Sequence, residues 1–202
     1  MCLITKIINK VFHILWWLIN VLRFKQLGIK SFIDHPLKID GSMNIKIGNN
    51  VFIGYKTWLA SKPILQTKNS ILQIGNGSSI GHFNHIYATR KIIIGNNVLT
   101  ADKVYISDNV HGFEDITMPI KNQPIKQKNE VFIGDGSWLG ENVCIIGAKI
   151  GRNCVIGANS VVTKNIPDYS VAVGAPAKII KRYNEQTKKW ELTKQDGSFI
   201  DI

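Results

Sequence analysis

Aliphatic residues followed by glycine recur through the middle of the chain, at Ile47-Gly48, Ile53-Gly54, Ile74-Gly75, Ile80-Gly81, Ile94-Gly95, Ile133-Gly134, Leu139-Gly140, Ile150-Gly151 and Ile156-Gly157. Within each block the spacing is six residues. Five triplets result: Ile47, Ile53, Leu59; Ile74, Ile80, Ile86; Ile94, Thr100, Ile106; Ile133, Leu139, Ile145; and Ile150, Ile156, Val162. Four residues after many of these stands a small or β-branched residue: Val51, Thr57, Ser78, Val98, Val104, Ser137, Val143, Cys154 or Ser160. A period of six is neither the helical nor the simple strand period, and self-similarity of this kind marks a solenoid.

A triangular coil explains the number. Each flat side needs one short strand and one corner. The aliphatic residue fills the narrow axis, the small residue faces inward where a larger one would overpack, and Gly or Asn turns the corner. Three repeats, about eighteen residues, close one coil, and coils stack at the ~4.8 Å spacing of paired strands. The pattern predicts five coils of parallel strands. Residues 39–165 contain no amphipathic helical pattern, which excludes alternating strands and helices.

Two segments interrupt the rhythm. Residues 61–70 form a short excursion, and residues 108–130 form a long loop of the kind that carries function on a regular scaffold. The repeat ends after Asn165, and Pro167 and Pro176 mark a crossing segment. The expected organisation is an N-terminal helical segment over 1–30, a β-helix over 31–177, and a basic C-terminal helix or tail over 178–202. On a helical wheel, Lys6, Asn9, Lys10, His13 and Asn20 share one face, Ile4, Ile7, Ile8, Val11, Ile14, Leu15, Leu18, Val21 and Leu22 cover the other, and Trp16 and Trp17 lie at the margins. The uncharged run Val11–Leu22 is too short to span a bilayer, and no small-residue cleavage site follows. Residues 1–25 therefore have two readings: a helix lying in a membrane interface, or ordinary packing on the coil or on a neighbouring subunit.

Composition narrows the partners. Of 202 residues 45% are hydrophobic and 19% charged, so the chain can bury a core, and the formal charge of +11 calls for anionic partners. The bases crowd the two ends, Lys6, Lys10, Arg23, Lys25 and Lys30 against Lys178, Lys181, Arg182, Lys188, Lys189 and Lys194. No nucleic-acid motif accompanies them, and a nucleic acid is not expected. Cys2, Cys144 and Cys154 are odd in number and lack metal-ligand spacing, which fits a reduced interior and no metal.

The stretch VFIGDGSWLGENVCIIGAKIGRNCVIGANSVVTKNIPDYSVAVGAPAKIIKRY, residues 131–183, resembles the hexapeptide-repeat acyltransferases. The likeness is greatest to the branch holding galactoside and maltose acetyltransferases and the O-acetyltransferases of capsule and lipopolysaccharide synthesis, and it covers about residues 39–183. The phrase IGANSVVTKNIPDYSVAVGAPAK matches the family's C-terminal signature. The resemblance implies an all-β left-handed parallel β-helix, a homotrimer with active sites between subunits, and transfer of an acyl group from acetyl-CoA without a metal.

Transfer to a hydroxyl needs a base, because a hydroxyl is a weak nucleophile at neutral pH. His111, in Asp-Asn-Val-His-Gly at the start of the long loop, matches the family's catalytic histidine. Asp108, Glu114, Asp115 or a backbone carbonyl are candidates to orient its ring. The resemblance assigns the donor to Trp138, Glu141, Ala158, Thr163, Lys164, Lys178 and Lys181; the lysines suit phosphates, while Glu141 departs from the family's small residue. Asn84, His82 and His85 are candidate acceptor contacts. His82 and Arg90 replace an asparagine and an aspartate of the galactoside enzyme, so a simple galactoside acceptor is unsupported. The leading expectation is a cytoplasmic O-acetyltransferase for a sugar hydroxyl in capsule or lipopolysaccharide synthesis. The alternatives are another small acceptor (an amino sugar, an antibiotic or serine) and a non-catalytic scaffold.

Overall fold

A computed structural model describes residues 3–64 and 69–200, with side chains from residue 11 onward. The middle of the chain is a three-sided prism of parallel strands. The first side stacks Gln26–Leu27, Ile45–Ile47, Ile71–Ile74, Lys91–Ile94, Val131–Ile133 and Lys149–Ile150. The second stacks Phe32–Ile33, Phe52–Ile53, Ser79–Ile80, Leu99–Thr100, Trp138–Leu139 and Val155–Ile156, then Ser170–Val173. The third stacks Lys38–Asp40, Trp58–Ser61, His85–Ala88, Tyr105–Ser107, Cys144–Ile146 and Val161–Val162. The registers align the predicted triplets one over another: Ile47 on Ile74, Ile74 on Ile94, Ile94 on Ile133 and Ile133 on Ile150.

Six coils form where the glycine pairs predict five. The additional first coil turns through Leu27, Ile33 and Ile39, which keep the spacing of six; Gly28 follows Leu27 as in the later coils, but Asp34 follows Ile33 where glycine follows Ile53 and Ile80. Its signal was the inward residue four places after Leu27. The Ser31 hydroxyl donates to Gly48 O (2.6 Å) and accepts from Val51 N–H (3.0 Å). Ser78 repeats this, donating to Gly95 O (2.8 Å) and accepting from Val98 N–H (3.1 Å), and Ser137 does the same with Gly151 O and Cys154 N–H. A hydroxyl is tolerated in the apolar axis because both its bonds run to the corner backbone of the next coil.

Each end of the prism is covered. Where a basic helix or tail is expected over 178–202, no helix forms among the described residues; Lys178–Asn184 and Lys189–Leu192 form an antiparallel hairpin on Ser170–Val173. The second side would otherwise end in a row of unpaired backbone groups. The β-branched pair Ile179-Ile180 favours a strand, and Ile179 is buried under the hairpin.

At the other end a helix spans Leu3–Asn20, and the coil begins at Gln26, inside the segment expected to be helical. The side chains of Ile4, Lys6, Ile7, Ile8, Asn9 and Lys10, and Cys2, lie outside the described residues. The rest of the helix faces opposite to the wheel's simple reading. His13 stacks on Phe32 (4.3 Å, 14°), Trp16 meets Phe32 edge-on (5.1 Å), Trp17 Nε1–H donates to Gly28 O (2.9 Å), and Asn20 is buried. The aromatic margin holds the helix to the coil, and much of the aliphatic face points away.

Candidate functional site

The long loop leaves the prism at the edge between the third and first sides, and its root is built of polar contacts. Asp108 is fully buried. Its carboxylate accepts from Thr89 N–H and Oγ1–H (2.8 Å each) and from the Arg90 and Lys91 N–H groups (2.7 Å each). Burial alone would raise its pKa; the hydrogen bonds from Thr89, Arg90 and Asn109 outweigh it and hold the carboxyl below its ordinary range. Gln127 Nε2–H donates to the Asp108 carbonyl (2.6 Å), which ties the returning chain to the same point.

From this root the chain runs out and back as an antiparallel ladder, Asn109–His111 against Ile125–Gln127, with His111 opposite Ile125. The tip is closed by Gln123, whose amide donates to the Asp115 and Met118 carbonyls (2.8 and 3.0 Å). His111 is therefore exposed on an anchored arm. The three acids near it are engaged elsewhere: Asp108 at the root, Glu114 paired with Lys126, and Asp115 with Thr117 (2.6 Å). The Lys126 bond, with that from Phe113 N–H, holds the Glu114 carboxyl far down its range. Among the described residues no hydrogen bond reaches the His111 ring.

Thr163 and Lys164 stand on the same edge as the loop, two coils further along, about 10 Å by strand spacing. With Lys178 they line a cavity of about 440 Å3 that also takes Pro176, Ala177, Gln195 and Asp196. Gln195 and Asp196 carry no sequence signal for this role. They arrive because the tail turns back, with Gly197 N–H donating to Lys194 O (2.9 Å).

The other predicted donor residues occupy a different part of the prism. Glu141 and Ala158 lie on the edge between the second and third sides, one coil apart. The corners stack so closely that a Cβ on Gly140 would come within 2.6 Å of Ala158 N. Glu141 pairs with Lys103 Nζ (3.1 Å), which explains how a charged residue is kept at this corner. Trp138 lies outward on the second side in line with Val155, Val171 and Lys181. Trp138 and Leu99, directly beside it, are each 49% exposed, and Phe52 is 40% exposed in the same column.

The acceptor candidates separate as well. Asn84 is buried and points inward, where its amide donates to Gly81 O (2.9 Å), Thr100 Oγ1 (3.0 Å) and Ala101 O (3.2 Å), and its carbonyl accepts from Val104 N–H. It fills the place of the inward small residue, and its polarity is spent on the coil. His82 sits on the second–third edge, its Nδ1 accepting from Tyr55 N–H (2.8 Å). His85 points outward on the third side, stacked on Trp58 (4.2 Å, 7°) with Tyr105 edge-on (5.3 Å). Burial pushes its pKa down, and its Nε2 is buried without a partner. His13 and His35 pair locally, with Phe32 and Asp34. Cys154 is buried and its thiol pKa is pushed up by burial, as for a core residue.

Comparison with known proteins follows the same outline. The family described as hexapeptide repeat of succinyl-transferase matches residues 130–164. The chain is 34% identical over 181 residues to a galactoside O-acetyltransferase of Lactococcus lactis, covering 89% of this chain and 72% of that one. It is 38% identical over 128 residues to a putative lipopolysaccharide biosynthesis O-acetyl transferase of Escherichia coli, covering 60% and 65%. Among the curated relatives, the chain spans as little as 47% of the length of the protein it matches. The crystal structure of a maltose O-acetyltransferase from Clostridium difficile superposes with a TM-score of 0.54 at 33% identity, covering 80% of this chain and 71% of that one. The prism is thus the left-handed parallel β-helix of hexapeptide-repeat proteins, an exception to the right-handed rule for parallel crossovers.

Proposed function

The chain belongs to the hexapeptide-repeat acyltransferase family, and on that premise we propose that it transfers an acetyl group from acetyl-CoA to a sugar hydroxyl in surface-glycan synthesis, with His111 as general base. The observation that carries this reading is the placement of an exposed histidine on an arm rooted by a buried carboxylate, on the same edge as the Thr163, Lys164 and Lys178 cavity. Acetyl-CoA supplies an activated thioester. His111 takes the proton of the acceptor hydroxyl as its oxygen attacks the thioester carbonyl, and the thiol leaves. Lys164 and Lys178 hold the donor's phosphates, and Thr163 walls the same cavity. Trp138, Glu141 and Ala158 hold its pantetheine arm, and Lys181, like the other lysines, suits its phosphates. The similarity to a lipopolysaccharide-type relative supports a glycan acceptor.

The separation of the donor residues on one prism supports a homotrimer. Trp138, Glu141 and Ala158 of one copy complete a site with His111 and Lys164 of the next. The apolar column of Phe52, Leu99 and Trp138 gives adjacent copies a surface to bury. The enzyme works in the cytoplasm, where its donor is made.

The experiment is direct. Purified protein is incubated with acetyl-CoA and a panel of sugars and glycan fragments, thiol release is followed, and the product is examined for an acetyl ester. Ester formation with release of one thiol per ester is expected. Binding of acetyl-CoA without turnover of any hydroxyl acceptor, or transfer only to amines, would overturn the reading. A sedimentation measurement showing an active monomer would remove the trimer.

A further inference from the structure

The N-terminal helix is attached through one face only. Trp16, Trp17, His13 and Asn20 meet the first coil, whereas Val11, Ile14, Leu15, Leu18, Ile19 and Leu22 are 50–87% exposed. Contiguous apolar surface of this kind marks an interaction site. Between helix and coil lies a half-open cavity of about 510 Å3, walled by Ile14, Trp17, Ile29 and Phe32, with Lys30 also in its wall. The sequence leading into it carries one sign of charge. No acidic residue precedes Asp34, and the same stretch holds Lys6, Lys10, Arg23, Lys25 and Lys30.

We propose that this end of the prism docks on an anionic lipid bilayer, with the helix lying in the interface and the cavity receiving an acyl chain. An amphipathic helix with an apolar face and basic flanks binds in this way. A second copy of the chain fits less well. Pairing this face with its own copy would bring together two stretches whose five charges are all positive, whereas an anionic headgroup layer supplies the opposite sign. Spanning is excluded for this helix, since no described helix is long and apolar enough to cross a membrane. The proposal does not depend on the acetyl-transfer reading, and its test reads binding alone.

The full chain is floated with vesicles of phosphatidylglycerol and phosphatidylcholine, and with vesicles of phosphatidylcholine alone, at low and high salt. Binding to the anionic vesicles is expected, weaker on the order of 10²-fold on the neutral ones or in high salt. The double variant Leu18→Glu/Ile19→Glu should lose flotation with an unchanged thermal melt, because both side chains are exposed. Lys25→Glu/Lys30→Glu tests the charge separately and should weaken binding without touching the apolar face. A parent chain that ignores anionic vesicles would overturn the proposal. So would an L18E/I19E variant that floats as well as the parent, or one whose only change is dissociation of an oligomer.

Discussion

The coils and the long loop solve the problem of holding a chain in place by opposite means. In the coils from Ile47 onward every axial aliphatic is at most 2% exposed, and the inward hydroxyls of Ser78 and Ser137 are bonded to the corner backbone of the next coil. Each coil repeats the contacts of the one before, so stability is distributed along the prism. The loop has no such redundancy. Phe113, Ile116 and Ile120 are more than half exposed, and the arm hangs on Asp108, Gln123 and a three-residue ladder. Removing chemistry from the loop should therefore leave the fold untouched, and removing volume from a coil should cost stability while leaving each folded molecule competent.

His111→Ala gives the widest separation. Transfer should fall ~10²–10⁴-fold, with an unchanged melting temperature; the assay is thiol release beside a thermal melt. Retention of more than half the activity would remove His111 from the chemistry. Ile106→Ala probes the opposite region. Ile106 is fully buried, so the loss of its side chain should cost ~2–5 kcal/mol in denaturant unfolding, with turnover per folded molecule preserved.

Asp108→Asn lies at the junction. Replacing a carboxylate that accepts four backbone and hydroxyl bonds within 2.8 Å should cost roughly 1–3 kcal/mol. The loss should register as faster proteolysis of the loop before any change in the coil. Because the folded pKa of Asp108 lies below its unfolded value, its contribution is complete above the ordinary carboxylate pKa of about 3.9 and is lost as pH falls through the lower folded value. Pepsin sensitivity of the loop should rise over that acid interval in the parent and lose this dependence in the Asn variant. The smallest effect belongs to Lys164→Ala and Lys178→Ala. Both side chains are exposed, so each should weaken acetyl-CoA binding roughly 2–5-fold by calorimetry, without changing the melt.

Legibility in the sequence followed how local each feature is. The spacing of six exposed the axis because every repeat writes the same residue at the same offset. The first coil is less legible because Asp34 stands where glycine follows the second aliphatic of the next two coils. The C-terminal hairpin is hidden because a run rich in lysine fits a helix, a tail or a strand alike, and only the open end of the second side calls for a strand. Asn84 is a candidate acceptor contact by sequence, and only its register turns the side chain into the axis.

The sequence by itself determined the coil, its period, the position of the interruption and the family signature, since each is a pattern among near neighbours in the chain. The tertiary structure alone decided which edge of the prism each site residue occupies. That choice sets Thr163 and Lys164 beside the loop, with Glu141 and Ala158 across the third side from them. It also decided that Asp108 serves the root of the arm and that the helix docks by its aromatic margin. The physical reason is that edge, burial and hydrogen-bond partner depend on contacts between residues well separated in the chain, 18 positions for Asp108 with Arg90 and 11 for Trp17 with Gly28, and a spacing rule carries no information about those.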